Sequence, residues 1–470
     1  MEKIIEEVSA IARNPKLLDI IISDLDKTVV HDYPCKISVL LTAASAYLNP
    51  INLFLRGESS IGKTYNVTET LKYFPEEDVW FLGRLSPTAL IHERGVFVDK
   101  NGEEIDFLDA PRKDEFEDIK EYIAAKKHWE ERIRNGYYKI NLEGKILVFL
   151  EAPPLDTFNM LLPILSHDKK RISYRIAEKT GKGRLMTLHT IIEGWPATIF
   201  CTTSTRYLED LATRCFTTTP KTTQEKFHDA NLVTGRKNAY PWIYEEDEEA
   251  KRIGLFIENF KTWMNNFDGV VIPYAEFFSD IYFNEIGRDM RDLKNFFEMV
   301  KVITALHFYN RMHLEINDKK YIVSCLQDFY VAREIFFEIF ETTRSGLSQD
   351  VLNFYYEILT TREKWEKKEA VEAYNKKFNT KKSSKQIYRY LKQLTEVGYV
   401  DEEDHESDKR KKVWIPLRMK KWTDHPFFEK AIFSNPKLQE AVEKWLEQLG
   451  HQSQKYNYKF TMWQWDDIGT

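Results

Sequence analysis

The eight residues Gly57-Glu58-Ser59-Ser60-Ile61-Gly62-Lys63-Thr64 decide how this chain is interpreted. They fit the pattern G-x-x-x-x-G-K-[ST]. They stand between an apolar run at residues 51–56 and an amphipathic stretch at 65–73, which predicts a strand, a loop and a helix in that order. In such a loop, successive backbone N–H groups and the helix N-terminus converge on phosphate. The stretch therefore predicts a binding site for a nucleoside triphosphate.

The residue types in this loop predict individual roles. Lys63 is expected to bridge the β- and γ-phosphates, and the Thr64 hydroxyl is expected to ligate Mg²⁺. The expected cofactors are therefore ATP and Mg²⁺. The predicted nucleotide contacts are the loop residues and the residue that follows them, namely Gly57, Ser59, Ser60, Ile61, Gly62, Lys63, Thr64 and Tyr65.

A second acidic site is needed to hold the hydrated metal, and the stretch Lys145-Ile-Leu-Val-Phe-Leu150-Glu151 supplies one. Five apolar residues predict a buried strand, and Glu151 follows at its end. No second carboxylate stands directly after Glu151, because Ala152 and two prolines come next. Either Glu151 serves both the metal and the attacking water, or a nearby acid such as Asp156 or Asp168 contributes.

Two further candidates follow the next apolar strand, at residues 194–204. This strand ends in hydroxyl side chains, and Thr203 or Thr202 is the candidate for orienting the attacking water; a capping role is the alternative. Arg214 stands ten residues beyond Ser204. An arginine there suits contact with the γ-phosphate of a neighbouring subunit, and a surface ion pair is the alternative.

In this order, the motifs resemble the AAA+ superfamily, and more narrowly archaeal and mobile-element relatives of the minichromosome maintenance helicases and the primase-associated helicases. The resemblance covers residues 14–311. It implies an α/β fold with an αβα P-loop core and a helical lid. Its elements are the Gly57–Thr64 loop, a stretch at residues 84–90, the Glu151 strand, the Thr202-Thr203 strand end and Arg214.

The resemblance also implies a lid motif around Arg288 and Arg291, in which Arg291 touches a γ-phosphate; a solvated helix face is the alternative. The chain departs from the family pattern at two positions. Members often carry Asp-Glu where this chain has Glu151-Ala152, and Asn where it has Thr. Both departures bear on the rate of hydrolysis more than on nucleotide binding.

An insertion at residues 171–192 reads as a β-hairpin with a glycine-containing tip. In hexameric helicases of the type this chain resembles, a hairpin before this strand projects into the central pore. Lys179, Lys182 and Arg184 would then contact the phosphates of DNA. A solvated turn is the alternative. Another hairpin, at residues 95–107, has an acidic tip and is expected to be structural or to contact a subunit.

The segment at residues 374–395 contains seven basic residues and no acidic residue. Predicted helices at 368–378 and 383–397, followed by a strand at 413–416, indicate a winged helix whose second helix enters the major groove. Lys385 and Arg389 are its predicted DNA contacts, because they lie i,i+4 on the face opposite the apolar stripe. A winged helix used for protein contacts is the alternative.

Composition restricts the class of protein. The net charge of −6 predicts no general affinity for nucleic acid, so DNA contact must come from local patches. Four scattered cysteines exclude a disulfide scaffold. The charged start and the apolar run at 37–48, too short to span a bilayer, predict a cytoplasmic protein without a membrane partner.

The sequence thus predicts five units: an N-terminal helical segment (1–36), an ATPase core (37–229), a helical lid (230–345), a winged helix (346–418) and a C-terminal helical appendix (419–470). The predicted function is that of an ATP-dependent DNA helicase of replication, working as a homohexamer with single-stranded DNA in the pore and duplex at the winged helix. The alternatives are an ATP-switched origin-binding initiator or loader, and a DNA-binding regulator with weak ATPase activity.

Overall fold

The computed structural model describes residues 8–83, 95–151, 154–179, 185–202, 214–245, 247–405, 408–417, 421–453 and 458–461. Side chains are described for these residues except 176–179, 185–188, 245, 408–410, 451–453 and 458–461. Thr203, Lys182 and Arg184 lie outside the described residues, and Lys179 is described in its backbone only.

The helices and strands alternate through the first half of the chain. The helices are α1 (Leu17–Asp26), α2 (Tyr33–Ser45), α3 (Lys63–Leu71), α4 (Ile119–Arg134), α5 (Leu155–Leu165), α6 (Gln224–Ala239), α7 (Trp242–Glu245), α8 (Glu248–Met264), α9 (Ala275–Asp280), α10 (Gly287–Leu306), α11 (Leu326–Ser345), α12 (Gln349–Glu357), α13 (Lys367–Lys377), α14 (Ser384–Glu396) and α15 (Pro436–Ser453). The strands are β1 (Asn52–Arg56), β2 (Val79–Leu82), β3 (Val96–Val98), β4 (Tyr137–Asn141), β5 (Ile146–Phe149), β6 (Arg171–Lys179), β7 (Leu185–Glu193), β8 (Ala197–Thr202), β9 (Phe216–Thr218), β10 (Gly269–Val271), β11 (Met312–Ile316), β12 (Lys319–Val323), β13 (Trp365–Glu366), β14 (Val400–His405), β15 (Asp408–Pro416) and β16 (Tyr458–Thr461).

The central sheet has five parallel strands in the order β2-β5-β8-β1-β9. Its middle strands β5 and β8 are buried along their whole length, which is why the sequence shows continuous apolar runs rather than alternation. The strands predicted within 51–56, 145–150 and 194–204 appear as β1, β5 and β8. The predicted α/β class with a parallel sheet is confirmed.

One continuous core joins parts of the chain that the sequence assigned to separate units. Helix α2, buried along most of its length, packs with α3, β8, α10 and α11. The core includes Leu17 and Ile21 from the N-terminal segment, Leu53 from the sheet and Phe296 and Phe336 from the predicted lid. The predicted boundary between residues 36 and 37 lies inside α2.

The predicted hairpin insertion belongs to a second sheet. Strands β6 and β7 pair antiparallel over nine residues each, and β7 also pairs with β4 in the order β3-β4-β7-β6. The predicted hairpin at 95–107 is short: β3 pairs with β4, and Val98 bridges Glu104 across a turn in which Gly102 has φ +88°. This second sheet fixes the base of the β6–β7 hairpin.

The C-terminal residues divide between two places. Residues 347–414 have a hydrophobic core of their own around Leu352, Tyr374 and Leu391, covered by the sheet β13-β15-β14. The predicted appendix instead packs onto the main body. The buried Arg333 donates to the carbonyls of Phe428 and Glu429, at 3.2 and 2.9 Å, and β16 extends the sheet of β10, β12 and β11.

Among the described residues, none of the helices combines the length and apolar character that a membrane span requires.

Candidate nucleotide site

The loop between β1 and α3 has the backbone shape of a phosphate cradle. Gly57 and Gly62 have φ angles of +142° and +92°, and Ser60 has +64°. A Cβ atom at Gly57 would collide with Ile61 Cδ1 and approach Thr219 Cγ2 to 3.3 Å, so only glycine fits. Gly62 is the N-cap of α3, and no side chain caps the helix. The first-turn N–H groups are therefore left for an anion.

The remaining loop side chains differ in exposure. Ile61 is buried and anchors the loop, whereas Ser59, Ser60 and Thr64 are exposed. Tyr65 is partly exposed, and its hydroxyl accepts a hydrogen bond from Lys237 Nζ on α6 at 2.8 Å. The loop therefore presents hydroxyls and backbone groups outward around a fixed apolar anchor.

Lys63 lies in the loop rather than in solvent. Its Nζ donates to the Gly57 carbonyl at 2.9 Å and to the Glu58 carbonyl, and burial lowers the pKa of the amine. Two carbonyl oxygens thus hold the position of the cation beside the cradle. The residues fit a polyphosphate, because the loop joins a held cation to a helix N-terminus without a cap.

A buried ion pair braces the loop from behind. Lys226 Nζ on α6 bonds Asp32 Oδ2 at 2.5 Å and the Ile61 carbonyl at 2.9 Å, and Asn66 Nδ2 also donates to Asp32 at 2.9 Å. Asp32 and Lys226 are both buried. Removing one partner of such a pair costs about 3–5 kcal/mol, because the other charge is left uncompensated. Sequence reasoning missed this pair, because its two residues are 194 positions apart.

The predicted metal ligands lie at the same edge of the sheet as the loop. Glu151 follows β5 and is exposed, and β5 is two strands from β1, which places the strand ends about 10 Å apart. The end of β8 lies between them. Cys201, near that end, is hydrogen-bonded to the Thr64 hydroxyl, and burial raises its thiol pKa to about 12. A hydroxyl and a carboxylate at one edge of the sheet are oxygen ligands of the kind that a hydrated Mg²⁺ takes.

The other residues predicted for this site, Asp156, Thr202 and Asp168, do not all lie at the edge of the sheet where the P-loop lies. Asp156 begins α5 on the Glu151 side of the sheet and is exposed. Thr202 is buried and opposite Arg56 in the β1–β8 register. Asp168 follows the C-terminal end of α5, where the neighbouring Leu165 carbonyl accepts from Asn52 at the start of β1. Asp168 therefore lies at the opposite, amino edge, which excludes it from the metal site of its own chain.

Arg214 and the two predicted lid arginines gather at this amino edge. Arg214 Nη1 bonds Asp168 Oδ1 at 2.7 Å, and Arg288 donates to Asp292 at 3.0 Å and to the Cys215 carbonyl at 3.3 Å. The exposed Arg291 is close enough to help lower the Asp168 pKa. Residue 215 precedes β9, which runs parallel to β1, so the structure does not bring these arginines to the P-loop of their own chain.

His167 in the same cluster gives a pH prediction. Burial, aided by Lys294 and Arg214, lowers its pKa to about 4, below an unfolded value of 6.5. The neutral ring is thus favoured in the fold, and its stabilisation is complete above pH 6.5 and is lost as the pH falls towards 4. We expect His167→Asn, which tolerates the local φ of +57°, to remove about 1–3 kcal/mol of this pH dependence.

Urea unfolding of both proteins at pH 7.5 and 4.5 measures the effect. The free energy of unfolding should fall less between the two pH values in His167→Asn than in the unsubstituted chain. Equal losses in the two proteins would contradict a buried neutral His167.

The predicted recognition helix lies against the P-loop. Glu58 accepts hydrogen bonds from Tyr390 at 2.9 Å, from Gln386 at 3.3 Å and from Lys382 Nζ at 3.4 Å. Burial, together with the carboxylates of Asp350 and Glu58, raises the Tyr390 pKa. Glu58 was not among the predicted contacts. The only signal in the sequence is that an acidic side chain stands inside a phosphate-binding loop.

The two predicted DNA contacts on α14 have different surroundings. Both Lys385 and Arg389 are exposed. Arg389, however, also lines an open cleft of about 520 Å³ with the first residues of the P-loop, whereas Lys385 does not line it. Ser383 caps α14 by accepting from the Gln386 N–H. The antiparallel strands β14 and β15 follow the helix.

A second group could hold a cation behind the P-loop. His31, Glu225 and Asp229 place one ligand atom each within 4.8 Å of one another, and His31 Nε2 is 2.6 Å from Asp229 Oδ2. The hydrogen bond between His31 and Asp229 explains why these two side chains lie close together. It links the turn before α2 to α6, as the Asp32–Lys226 pair does.

The chain matches no protein-family model and no curated protein. Among solved structures it is similar to one described as "a putative ATPase" from Cytophaga hutchinsonii ATCC 33406, with 12% identity over 75% of this chain and 95% of that chain and a TM-score of 0.37. It is also similar to Cdc6p from Pyrobaculum aerophilum (14% identity, 90% and 95% coverage, TM-score 0.22). A third is the Aeropyrum pernix Orc1 protein, solved in complex with DNA (12% identity, 92% and 97% coverage, TM-score 0.23). Below a TM-score of 0.5 these likenesses are too weak to say what this chain does.

Proposed function

We propose that this chain is an AAA+ ATPase that couples ATP hydrolysis to movement on DNA, as a helicase or translocase of replication. The observation that carries the proposal is the placement of the Gly57–Thr64 loop and Glu151 at one edge of a parallel sheet, with β8 between their strands. This arrangement supports ATP and Mg²⁺ as cofactors. Measurement of ATP binding and hydrolysis, with and without DNA, tests it directly.

The residues at this edge divide the work of hydrolysis. Bound ATP with Mg²⁺ supplies the phosphoryl group that passes to water. The first-turn N–H groups of α3 and the Lys63 amine bind and orient the phosphates, which is the main protein contribution to phosphoryl transfer. Thr64 and Glu151 would hold the metal. Glu151, or Asp156 in the first turn of α5, would accept the proton of the attacking water, and Thr203 or Thr202 would orient that water.

Assembly is proposed because the remaining arginines cannot serve their own nucleotide. Arg214 and Arg291 lie at the amino edge of the sheet, on the opposite side from the P-loop. In a closed ring, the amino edge of one subunit can face the P-loop edge of the next, since such an interface joins two different surfaces. We therefore propose a homohexamer in which these arginines complete the site of the neighbouring subunit.

Two elements are proposed to contact DNA. The β6–β7 hairpin is anchored at its base by β4, which suits it to project into a pore and contact single strands through Lys179, Lys182 and Arg184. Helix α14 with its following hairpin is proposed as a winged helix that contacts duplex through Lys385, with Arg389 one turn further along.

A second candidate function is an ATP-switched DNA-binding initiator or loader. The observation that favours it is the set of hydrogen bonds from Gln386, Tyr390 and Lys382 to Glu58, which join the predicted recognition helix to the nucleotide loop. A change in the loop on nucleotide binding would then reach the DNA-binding helix without translocation. A strand-displacement assay distinguishes this candidate from the helicase.

Replacing the basic residues of the hairpin and replacing Lys385 of α14 should impair different modes of DNA binding. Replacing Lys179, Lys182 and Arg184 by alanine removes up to three phosphate contacts. The slope of log K against log salt for single strands should become shallower by about 0.7 per lost contact. Unwinding should collapse, while ATPase activity without DNA persists, because the nucleotide site is untouched. Replacing Lys385 should weaken duplex binding and leave translocation on preloaded single strands intact.

Salt titrations of both variants on both forms of DNA provide the measurement. Lys444→Ala, which removes one exposed lysine on α15, is the charge-matched control for the Lys385 variant and should leave both slopes unchanged. If the two variants lose the same binding mode to the same extent, the proposed division between hairpin and α14 is wrong.

A further inference from the structure

The cleft between the P-loop and α14 has no assigned ligand. Its volume is about 520 Å³, and it is open to solvent on one side. One wall consists of residues 56–59, which end β1 and begin the loop, and the other is formed mainly by Gln386, Arg389 and Tyr390 of α14. The cleft thus joins the nucleotide loop to a helix from a unit with a separate core.

The charges around the cleft favour an anion. Arg56 and Arg389 both line it, and Arg389 has no hydrogen-bond or ion-pair partner among the described residues. The one acidic side chain in the lining, Glu58, already accepts from Tyr390 and Gln386 and is paired with Lys382. Its negative charge is therefore largely compensated. A guanidinium in this position is available for phosphate, which it can bind in a bidentate way.

The position of Lys63 shows which part of a nucleotide would meet this cleft. In phosphate-binding loops this lysine reaches the β- and γ-phosphates. Here its Nζ lies on the carbonyls of Gly57 and Glu58, and these two residues also form the wall of the cleft. The end of the phosphate chain is therefore expected on the cleft side of the loop.

We propose that Arg389 binds the terminal phosphate of ATP held by the P-loop of the same chain. It would thereby distinguish ATP from ADP and report the nucleotide state to α14. This inference rests on the proposed nucleotide binding and deepens it, by assigning to α14 a role in sensing nucleotide. It also reassigns Arg389, because a guanidinium engaged on the γ-phosphate does not contact DNA at the same time.

The test compares the affinities of the full chain for two fluorescent nucleotides, a non-hydrolysable ATP analogue and ADP, each with Mg²⁺. In Arg389→Ala, the Kd for the ATP analogue should rise about 10- to 100-fold, as expected for loss of a charge-assisted contact. The Kd for ADP should stay within about twofold. The Kd of Arg389→Lys for the ATP analogue should lie between those of the unsubstituted chain and Arg389→Ala, because lysine keeps the charge and loses the fork geometry.

Lys392→Ala is the matched control, since Lys392 is exposed on the same helix and does not line the cleft. It should change neither Kd. If the ratio of the two affinities is the same in Arg389→Ala as in the unsubstituted chain, the assignment of Arg389 is wrong while nucleotide binding stands. If the unsubstituted chain binds neither nucleotide, the proposed function itself fails.

Discussion

Lys63→Ala should abolish ATP hydrolysis, lowering turnover by about 10²- to 10³-fold or more. The reason is local: among the described residues of the Gly57–Thr64 loop, Lys63 is the only cation, and its amine is already held against the Gly57 and Glu58 carbonyls. Without it, the charge that develops on the transferred phosphoryl group has no compensating group in the loop. Steady-state phosphate release is the measurement.

The matched control for this experiment is Lys72→Ala. Lys72 follows the same helix, and its amine pairs with Glu69 at 2.8 Å on the surface. This variant should hydrolyse ATP at the unsubstituted rate. Turnover near that rate in Lys63→Ala would remove the ATPase proposal altogether.

A companion substitution separates nucleotide binding from chemistry. Glu151→Gln should still bind ATP and should stall hydrolysis, because the charge at the metal and water site is lost while the shape is kept. If Glu151→Gln hydrolyses ATP normally, Asp156 becomes the residue to test. Asp168 does not, because it lies at the other edge of the sheet.

The fold around the site was predictable where burial imposes a simple pattern. Strands β5 and β8 are covered on both faces, so nearly every residue in them must be apolar, and the sequence shows this directly. Helix α3 was predictable from the amphipathic stretch that follows the loop. The β6–β7 hairpin was predictable from its alternating arms.

Contacts between distant segments were not predictable from one sequence. Nothing near Asp32 indicates that it pairs with Lys226, because each residue alone reads as a surface charge. That three of the predicted units share one core was not predictable for a related reason. Apolar faces at Ile21, Leu53 and Phe336 predict that each element is buried, but they do not say that all three share one core. Which apolar faces pack together depends on the shapes of the helices and strands in three dimensions.

Some positions in the candidate site were predictable from the sequence and others were not. The P-loop, Glu151 and Thr64 were predicted because strand order brings the carboxyl ends of parallel strands together. The positions of Arg288 and Arg291 were not, because a helical pattern does not say which edge of a sheet the helix reaches. Arg288 donates to the Cys215 carbonyl, and Asn295 on the same helix donates to the Arg214 carbonyl, so this part of α10 lies at the amino edge.

This placement leads to the second large effect, at Arg214. We expect Arg214→Ala to lower the ATPase rate of the assembled ring by about 10³-fold, as for loss of an arginine finger. Arg214 also pairs with Asp168 at 2.7 Å, so a purely structural role must be separated from a catalytic one. Asp168→Asn removes the ion pair and keeps the arginine. It should retain most of the activity, whereas equal losses in both variants would indicate that only the ion pair matters.

A mixing experiment then tests whether Arg214 acts on the neighbouring subunit. Neither Arg214→Ala rings nor Lys63→Ala rings should hydrolyse ATP. In mixed rings, some interfaces combine an intact P-loop from an Arg214→Ala subunit with an intact Arg214 from a Lys63→Ala subunit, and these composite sites should restore part of the activity. The recovered rate should rise and fall with the mixing ratio, because it follows the number of such interfaces. No recovery in rings proven to contain both variants would show that Arg214 serves its own chain or none.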